Sequence, residues 1–179
     1  MSYSHLDTDT LLRQAAADAP GAQDELVRRY LPRLTAYCSL FATAAQDKHD
    51  LAQTIVLHIC RQCRTWQGDG SAEAWLFQIA RHHCLKGIEQ RGRDARKLRL
   101  VADAAPLPVE SSLETLAHRE QHERLRELLQ QLPLDERDLI FFRMDQELDY
   151  TAIAAITGES ATALRKKMSR VLDKLRKIF

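Results

Sequence analysis

Seven lysines and arginines fall within the thirteen residues from Arg165 to Lys177, opposed only by Asp173. Seven more lie between Arg81 and Arg99, against Glu89 and Asp94. Cations at that density neutralise a polyanion, and an acidic stretch from Asp103 to Glu127 keeps the two clusters apart. Net charge is only +1, so any attraction is local to these surfaces. No Ser/His/Asp set, phosphate-binding loop or paired carboxylates stand in a context that suggests catalysis. The chain reads as a non-enzyme that needs no cofactor.

One arrangement invites a metal: Cys60-Arg-Gln-Cys63, with His58 nearby and His82-His83-Cys84 further on. Both cysteines of the pair fall in a helical run, and no second pair follows, whereas structural zinc sites usually set such pairs at turns. No strand of thioredoxin type precedes the pair. Reduced, buried thiols are the expected state of all four cysteines, and no metal is expected.

The C-terminal cations sit in a recognisable frame. Tyr150-Thr-Ala-Ile-Ala-Ala-Ile-Thr-Gly158 followed by Ser160-Ala-Thr-Ala-Leu-Arg-Lys-Lys-Met168 has the layout of a helix-turn-helix. Ile153, Ala154 and Ile156 face inward, Gly158 permits a left-handed turn, and Ser160 caps the second helix. Leu164, Met168, Val171, Leu172 and Leu175 supply a buried stripe. Ser160, Thr162, Arg165, Lys166, Lys167 and Arg170 are left to face a DNA groove. A basic amphipathic helix could also lie on a membrane, but the helix–glycine–helix context favours DNA.

These residues need elements to hold them. Few glycines and prolines, few aromatics and a 45% hydrophobic fraction predict an all-α fold, and the loss of helical periodicity before Leu113 divides it into two small helical domains. Helical spacing covers 6–18, 22–44 and 47–62, with Pro32 inside the second run as a kink or a first turn. A loop follows at Trp66-Gln-Gly-Asp-Gly-Ser71, and Ser71 caps a helix to about Gln90. Trp75 is expected in the core; Trp66 is free to pack or to stack. Residues 1–95 form the first domain, 96–112 a linker containing Pro106 and Pro108, and 113–179 the second domain. A helix from about Leu113 breaks at Pro133, and Asp135 caps the next, which carries Leu139, Ile140, Phe142 and Met144. The N-terminus has neither a secretory pattern nor a membrane-length apolar run, so a cytoplasmic location is expected.

Both halves resemble one family, the bacterial extracytoplasmic-function sigma factors of the sigma-70 family. Leu128-Leu-Gln-Gln-Leu-Pro133 through Leu148–Gly158 to Arg176 is similar to their domain four. Asp50-Leu-Ala-Gln53, Trp66-Gln-Gly-Asp-Gly-Ser and Trp75-Leu-Phe-Gln-Ile-Ala-Arg81 are similar to domain two. The resemblance implies a promoter-specificity subunit of RNA polymerase. Domain two would grip the beta-prime clamp helices through Asp47, Asp50, Leu51, Gln53 and Thr54. It would open the minus-ten element with Trp66, Arg81, His82, Lys86, Arg91 and Arg93. Domain four would read the minus-thirty-five element and contact the beta flap. An anti-sigma factor is a further implied partner. The other reading of the same residues is a two-domain DNA-binding regulator that stays out of the holoenzyme.

Two departures stand out. An Asn is usual in the family where His82 stands, and an acid is common where Lys86 stands. The polymerase-gripping helix of the family is close to Asp-Ala-Glu-Asp-Leu-Val-Gln-Glu, whereas this chain has Asp47-Lys-His-Asp-Leu-Ala-Gln-Thr54. One acid has become His49, another Thr54, and Lys48 adds a positive charge. A phosphate on Thr54 would supply about −1.5 to −2 charges. Some groups of the family are switched on by a Ser/Thr kinase acting on this helix, so Thr54 is the expected phosphorylation site.

Overall fold

In the computed structural model the described residues are 3–41, 45–98, 129 and 131–177; the side chains of 45, 46 and 91–98 lie outside the description. The chain divides into two compact units, 1–107 and 108–179. Among the described residues every regular element is helical.

The first unit holds α1 (Thr8–Ala16), α2 (Ala22–Cys38), α3 (Ala45–Gln62), a 3-10 turn (Cys63–Thr65) and α4 (Ala72–Leu98). Leu11, Leu12, Leu26, Tyr30, Leu34, Tyr37, Ile55, Ile59, Leu76 and Phe77 are fully enclosed. The Phe77 ring meets Tyr30 at 6.4 Å and Tyr37 at 6.0 Å, both edge to face, an arrangement that adds to plain area burial. Pro32 neither ends nor opens a helix, because it lies on the exposed face of α2. The carbonyl it deprives of a partner can therefore turn to water. The helix stops at Cys38, short of the expected 44, and turns tightly through Leu40 and Phe41.

Two buried stripes are rotated relative to the expected ones. On α4 the enclosed positions are Leu76, Phe77, Ala80 and Cys84, while Trp75, Ile79 and Leu85 are only half-buried. Trp75 therefore flanks the core, and it is Trp66 on the loop that is buried, 9% exposed. On α3 the core side is Ala52, Ile55, Val56 and Ile59, and Leu57 is left 54% exposed. Helix α4 also continues past Gln90 to Leu98, into the segment expected to be a linker. The remainder of that linker, and the helix expected from Leu113, lie outside the described residues.

The second unit contains α5 (Leu134–Ile140), a π-helical turn (Phe141–Asp145), α6 (Tyr150–Thr157) and α7 (Ala161–Arg176). Asp135 does not cap α5. Pro133 stands at the cap without a side-chain bond, and Asp135, one residue inside the helix, reaches Lys167 instead. After Ile140 the hydrogen bonds lengthen in register: the Gln146 N–H donates to the Phe141 carbonyl at 3.0 Å and the Leu148 N–H to that of Phe142 at 2.9 Å. The wider turn lets Phe141 and Phe142 both reach the core, and it leaves Met144, expected on the apolar stripe, 63% exposed.

Candidate polymerase and nucleic-acid interfaces

On α3, Asp47, Asp50, Gln53 and Thr54 are all exposed and Leu51 is half-buried. Positions 47, 50, 54 and 57 recur at helical spacing, so Asp47, Asp50, Thr54 and the bare Leu57 line one side of the helix. The Thr54 hydroxyl donates to the Asp50 carbonyl one turn back at 2.8 Å. Such a bond is weak and local, so the hydroxyl is accessible and easily released. His49 is exposed on another side of the helix and Lys48 is half-buried. The face carries acids at Asp47 and Asp50 and a neutral hydroxyl at Thr54.

The loop after the 3-10 turn is held from both sides by α1, which the sequence did not mark as functional. Asp9 Oδ1 accepts from the Ala72 N–H at 2.9 Å, so a remote carboxylate caps α4 together with Ser71, whose Oγ accepts from Ala74 N at 3.3 Å. Arg13 lies over the Trp66 ring, 5.3 Å from its centroid. Asp18, at the end of α1, pairs with Arg64. Gly68 and Gly70 have φ of +86° and +81°, the left-handed region that glycine enters without cost. Residues 67–71 are exposed, so the loop offers backbone to a partner over a fixed, enclosed tryptophan. Trp66 is thus a support for the loop rather than an open stacking platform.

Beyond the loop, His82 and Lys86 are exposed on α4, and Arg81 is half-buried and engaged within the protein. Arg91 and Arg93 lie outside the described side chains. His83 packs against His58 of α3, rings 4.6 Å apart. Burial, then the neighbouring His58, His82 and Lys86, lowers the His83 pKa from its ordinary value. Cys63 is buried in the 3-10 turn, just past the helix expected to contain it, and its thiol donates to the Cys60 carbonyl at 3.0 Å. Burial raises both thiol pKa values. Among the described residues, no three potential metal ligands come together. A pairing that spacing could not reveal is Cys38 with Cys84, both enclosed free thiols whose sulfurs share a weak hydrogen bond at 3.9 Å.

The second unit assembles the helix-turn-helix. Asp149 caps α6 through the Ala152 N–H at 2.7 Å, and Ser160 caps α7 through the Ala163 N–H at 3.2 Å. Gly158 turns the chain at φ +78°. Ile153, Ile156, Leu164, Met168 and Val171 close the core, while Ala154 and Leu175 are half-buried and Leu172 emerges at the surface. Ser160, Thr162, Arg165, Lys166 and Arg170 are exposed. Lys167 differs: its ammonium bridges Asp135 at 2.7 Å and Glu159 at 2.6 Å, tying α7 to α5 and to the turn. Burial alone would lower its pKa, but the two carboxylates outweigh that and raise it.

Comparison with known proteins decides what these surfaces belong to. Residues 26–94 match the family described as Sigma-70 region 2, and residues 122–175 match Sigma-70, region 4. The chain belongs to the sigma-70 family, in its extracytoplasmic-function group. Relatives include the RNA polymerase sigma-H factor of Pseudomonas aeruginosa, 24% identical over 87% of this chain and 85% of that one. Another is the ECF sigma factor SigD of Mycobacterium tuberculosis, 25% identical over 94% and 82%. Two solved structures share the fold, each with a TM-score of 0.70. CnrH, in complex with the cytosolic domain of CnrY, is 22% identical, covering 96% of this chain and 97% of its own. The sigma factor RpoE of Bartonella quintana, in complex with the anti-sigma factor NepR, is 21% identical, covering 88% and 96%. As an RNA polymerase sigma factor the protein is a non-enzymatic, DNA-binding initiation factor. Its region 2 match begins at Leu26, so α1, which caps α4 and roofs Trp66, lies before the part the family defines. Among the described residues no helix is long and apolar enough to cross a membrane.

Proposed function

We propose that this sigma factor joins core polymerase through the exposed side of α3 and that phosphorylation of Thr54 gates the encounter. The observation that carries the reading is the exposure of Thr54 on the same side of α3 as Asp47 and Asp50, at a position where the family resemblance implies an acid. Adding a phosphate breaks only the local bond to the Asp50 carbonyl. Its like charge four residues from Asp50 costs the helix about 0.2–0.5 kcal/mol, small against a doubly charged group facing a basic partner. The kinase would be a Ser/Thr kinase that reads an exposed helix.

In this reading the 66–71 loop, His82 and Lys86 meet the melted minus-ten strand, joined by Arg91 and Arg93. Ser160, Thr162, Arg165, Lys166 and Arg170 meet the minus-thirty-five duplex. An anti-sigma factor, like that seen with the Bartonella relative, would act as a second control by covering these surfaces.

Core polymerase pull-down tests the gate. Thr54→Glu and kinase-treated protein are expected to retain at least about tenfold more core than unmodified protein or Thr54→Ala, a difference of about 1.4 kcal/mol. Equal retention by all four would sink the phospho-switch while leaving the family assignment intact.

A further inference from the structure

Cys38 ends α2 and Cys84 lies midway along α4. The two residues are 46 apart in sequence, yet both are fully enclosed and their sulfurs lie 3.9 Å apart. Both are free thiols. The other two cysteines are arranged differently, since the Cys63 thiol donates to the backbone carbonyl of Cys60. A disulfide sets its sulfurs at about 2.05 Å, so forming one here draws them together by about 1.9 Å. Turning two side chains about their Cα–Cβ bonds can cover that distance.

We propose that Cys38 and Cys84 are a reversible oxidation site, closed by a peroxide into a disulfide that locks α2 to α4. Access comes from the end of α2. Three bonds close that end: Ser39 N–H to the Thr35 carbonyl at 3.1 Å, Leu40 N–H to Tyr37 at 3.0 Å and Phe41 N–H to Cys38 at 3.0 Å. Ala36 and Ser39 on either side are exposed. Helix ends open more readily than helix middles, so a small oxidant reaches Cys38 first while α4 keeps Cys84 in place. The Cys38 thiolate attacks one peroxide oxygen. An S–O bond forms, the O–O bond breaks, and the departing hydroxide takes up the thiol proton as water. The Cys84 thiolate then attacks the sulfenic sulfur. The S–S bond forms, the S–O bond breaks, and a second water leaves with the second thiol proton. The covalent loop so closed contains α3 and the 66–71 loop, so the tie restrains the unfolded chain across both.

The test treats reduced, full-length protein with hydrogen peroxide, blocks the remaining thiols and maps the linked peptides. A Cys38–Cys84 linkage is expected, with two thiols lost, Cys60 and Cys63 still free, and full reversal by dithiothreitol. In an unfolded chain the short loop between Cys60 and Cys63 would close more readily, so the long-range linkage reports the folded core. Tm of the oxidised protein should rise by at least about 5 °C and return on reduction. Cys38→Ala and Cys84→Ala should each abolish that rise, and Cys60→Ala with Cys63→Ala should keep it. The wild-type linkage map decides the matter even if a core variant fails to fold. A Cys60–Cys63 linkage in its place, a sulfenic acid that persists on Cys38, or four intact thiols after a dose that fully oxidises free cysteine would each overturn the site. A Cys38–Cys84 linkage without a rise in Tm would overturn the lock.

Discussion

Lys167 sits on the helix whose neighbouring cations face outward, yet its ammonium is bound by Asp135 and Glu159. Its replacement by Met keeps the aliphatic stem and removes the charge. Two partly exposed bridges of this kind are worth about 0.2–1 kcal/mol each, after screening by solvent, so the second unit should lose about 1 kcal/mol. For a unit of this size that lowers Tm by about 4–8 °C. DNA binding should respond differently. Lys166→Met removes an exposed cation that has no ion pair among the described residues and should reduce the salt slope by about 0.9, an effect that changes its deficit about 3.5-fold between about 50 and 200 mM salt. Lys167→Met should leave that slope nearly as it was. The converse change, Asp135→Asn with Glu159→Gln, releases the ammonium and should steepen the slope while lowering Tm. The hydrogen bond from Lys167, then its charge, hold the Asp135 carboxyl below its ordinary 3.8. Stability from that shift is present above pH 3.8 and is lost as pH falls through the lower, folded value. Lys167→Met should therefore flatten the acid limb of the stability curve. The reasoning fails if Lys167→Met reduces the salt slope as much as Lys166→Met and leaves Tm unchanged.

Three further outcomes are expected. Gly158→Ala meets no atom within 4 Å, so its cost is the left-handed backbone alone, about 1 kcal/mol after allowing for the stiffer unfolded chain, readable as a lower denaturation midpoint. His83 is held neutral by burial and by cationic neighbours, so its folded pKa lies below 6.5. Its contribution is present above pH 6.5 and declines as pH falls below it, which proton NMR and pH-dependent melting should both register, and His83→Gln should remove the decline. The raised thiol pKa values mean that Cys60 and Cys63 should alkylate more slowly at pH 8 than a free thiol; faster labelling would contradict their burial.

Periodicity and capping chemistry made the helices and the helix-turn-helix legible, because Ser71, Gly158 and Ser160 act within three residues of themselves in sequence. The face each helix buries was less legible. On α4, Trp75 and Leu85 are as apolar as Phe77 and Cys84, and partners on α2 select the second pair: the rings of Tyr30 and Tyr37 meet Phe77, and the Cys38 thiol meets Cys84. Asp135 has the right type for a cap and a plausible place. A lysine 32 residues away takes it instead, which no local pattern encodes. The candidate polymerase face could be read from sequence because it is a surface property of one helix. The support beneath the 66–71 loop could not, since it comes from α1.

That support changes how promoter preference can be moved between relatives. The carboxylate that terminates α4 stands 63 residues upstream of the amide it caps, before the family-matching region begins. A loop transplanted from another sigma factor would arrive without its Asp9 and Arg13 equivalents. It would be fastened by a foreign first helix, so the residues proposed to meet DNA and those that aim them would come from different parents. Specificity should therefore travel with α1 and the loop as a pair, and not with the loop alone.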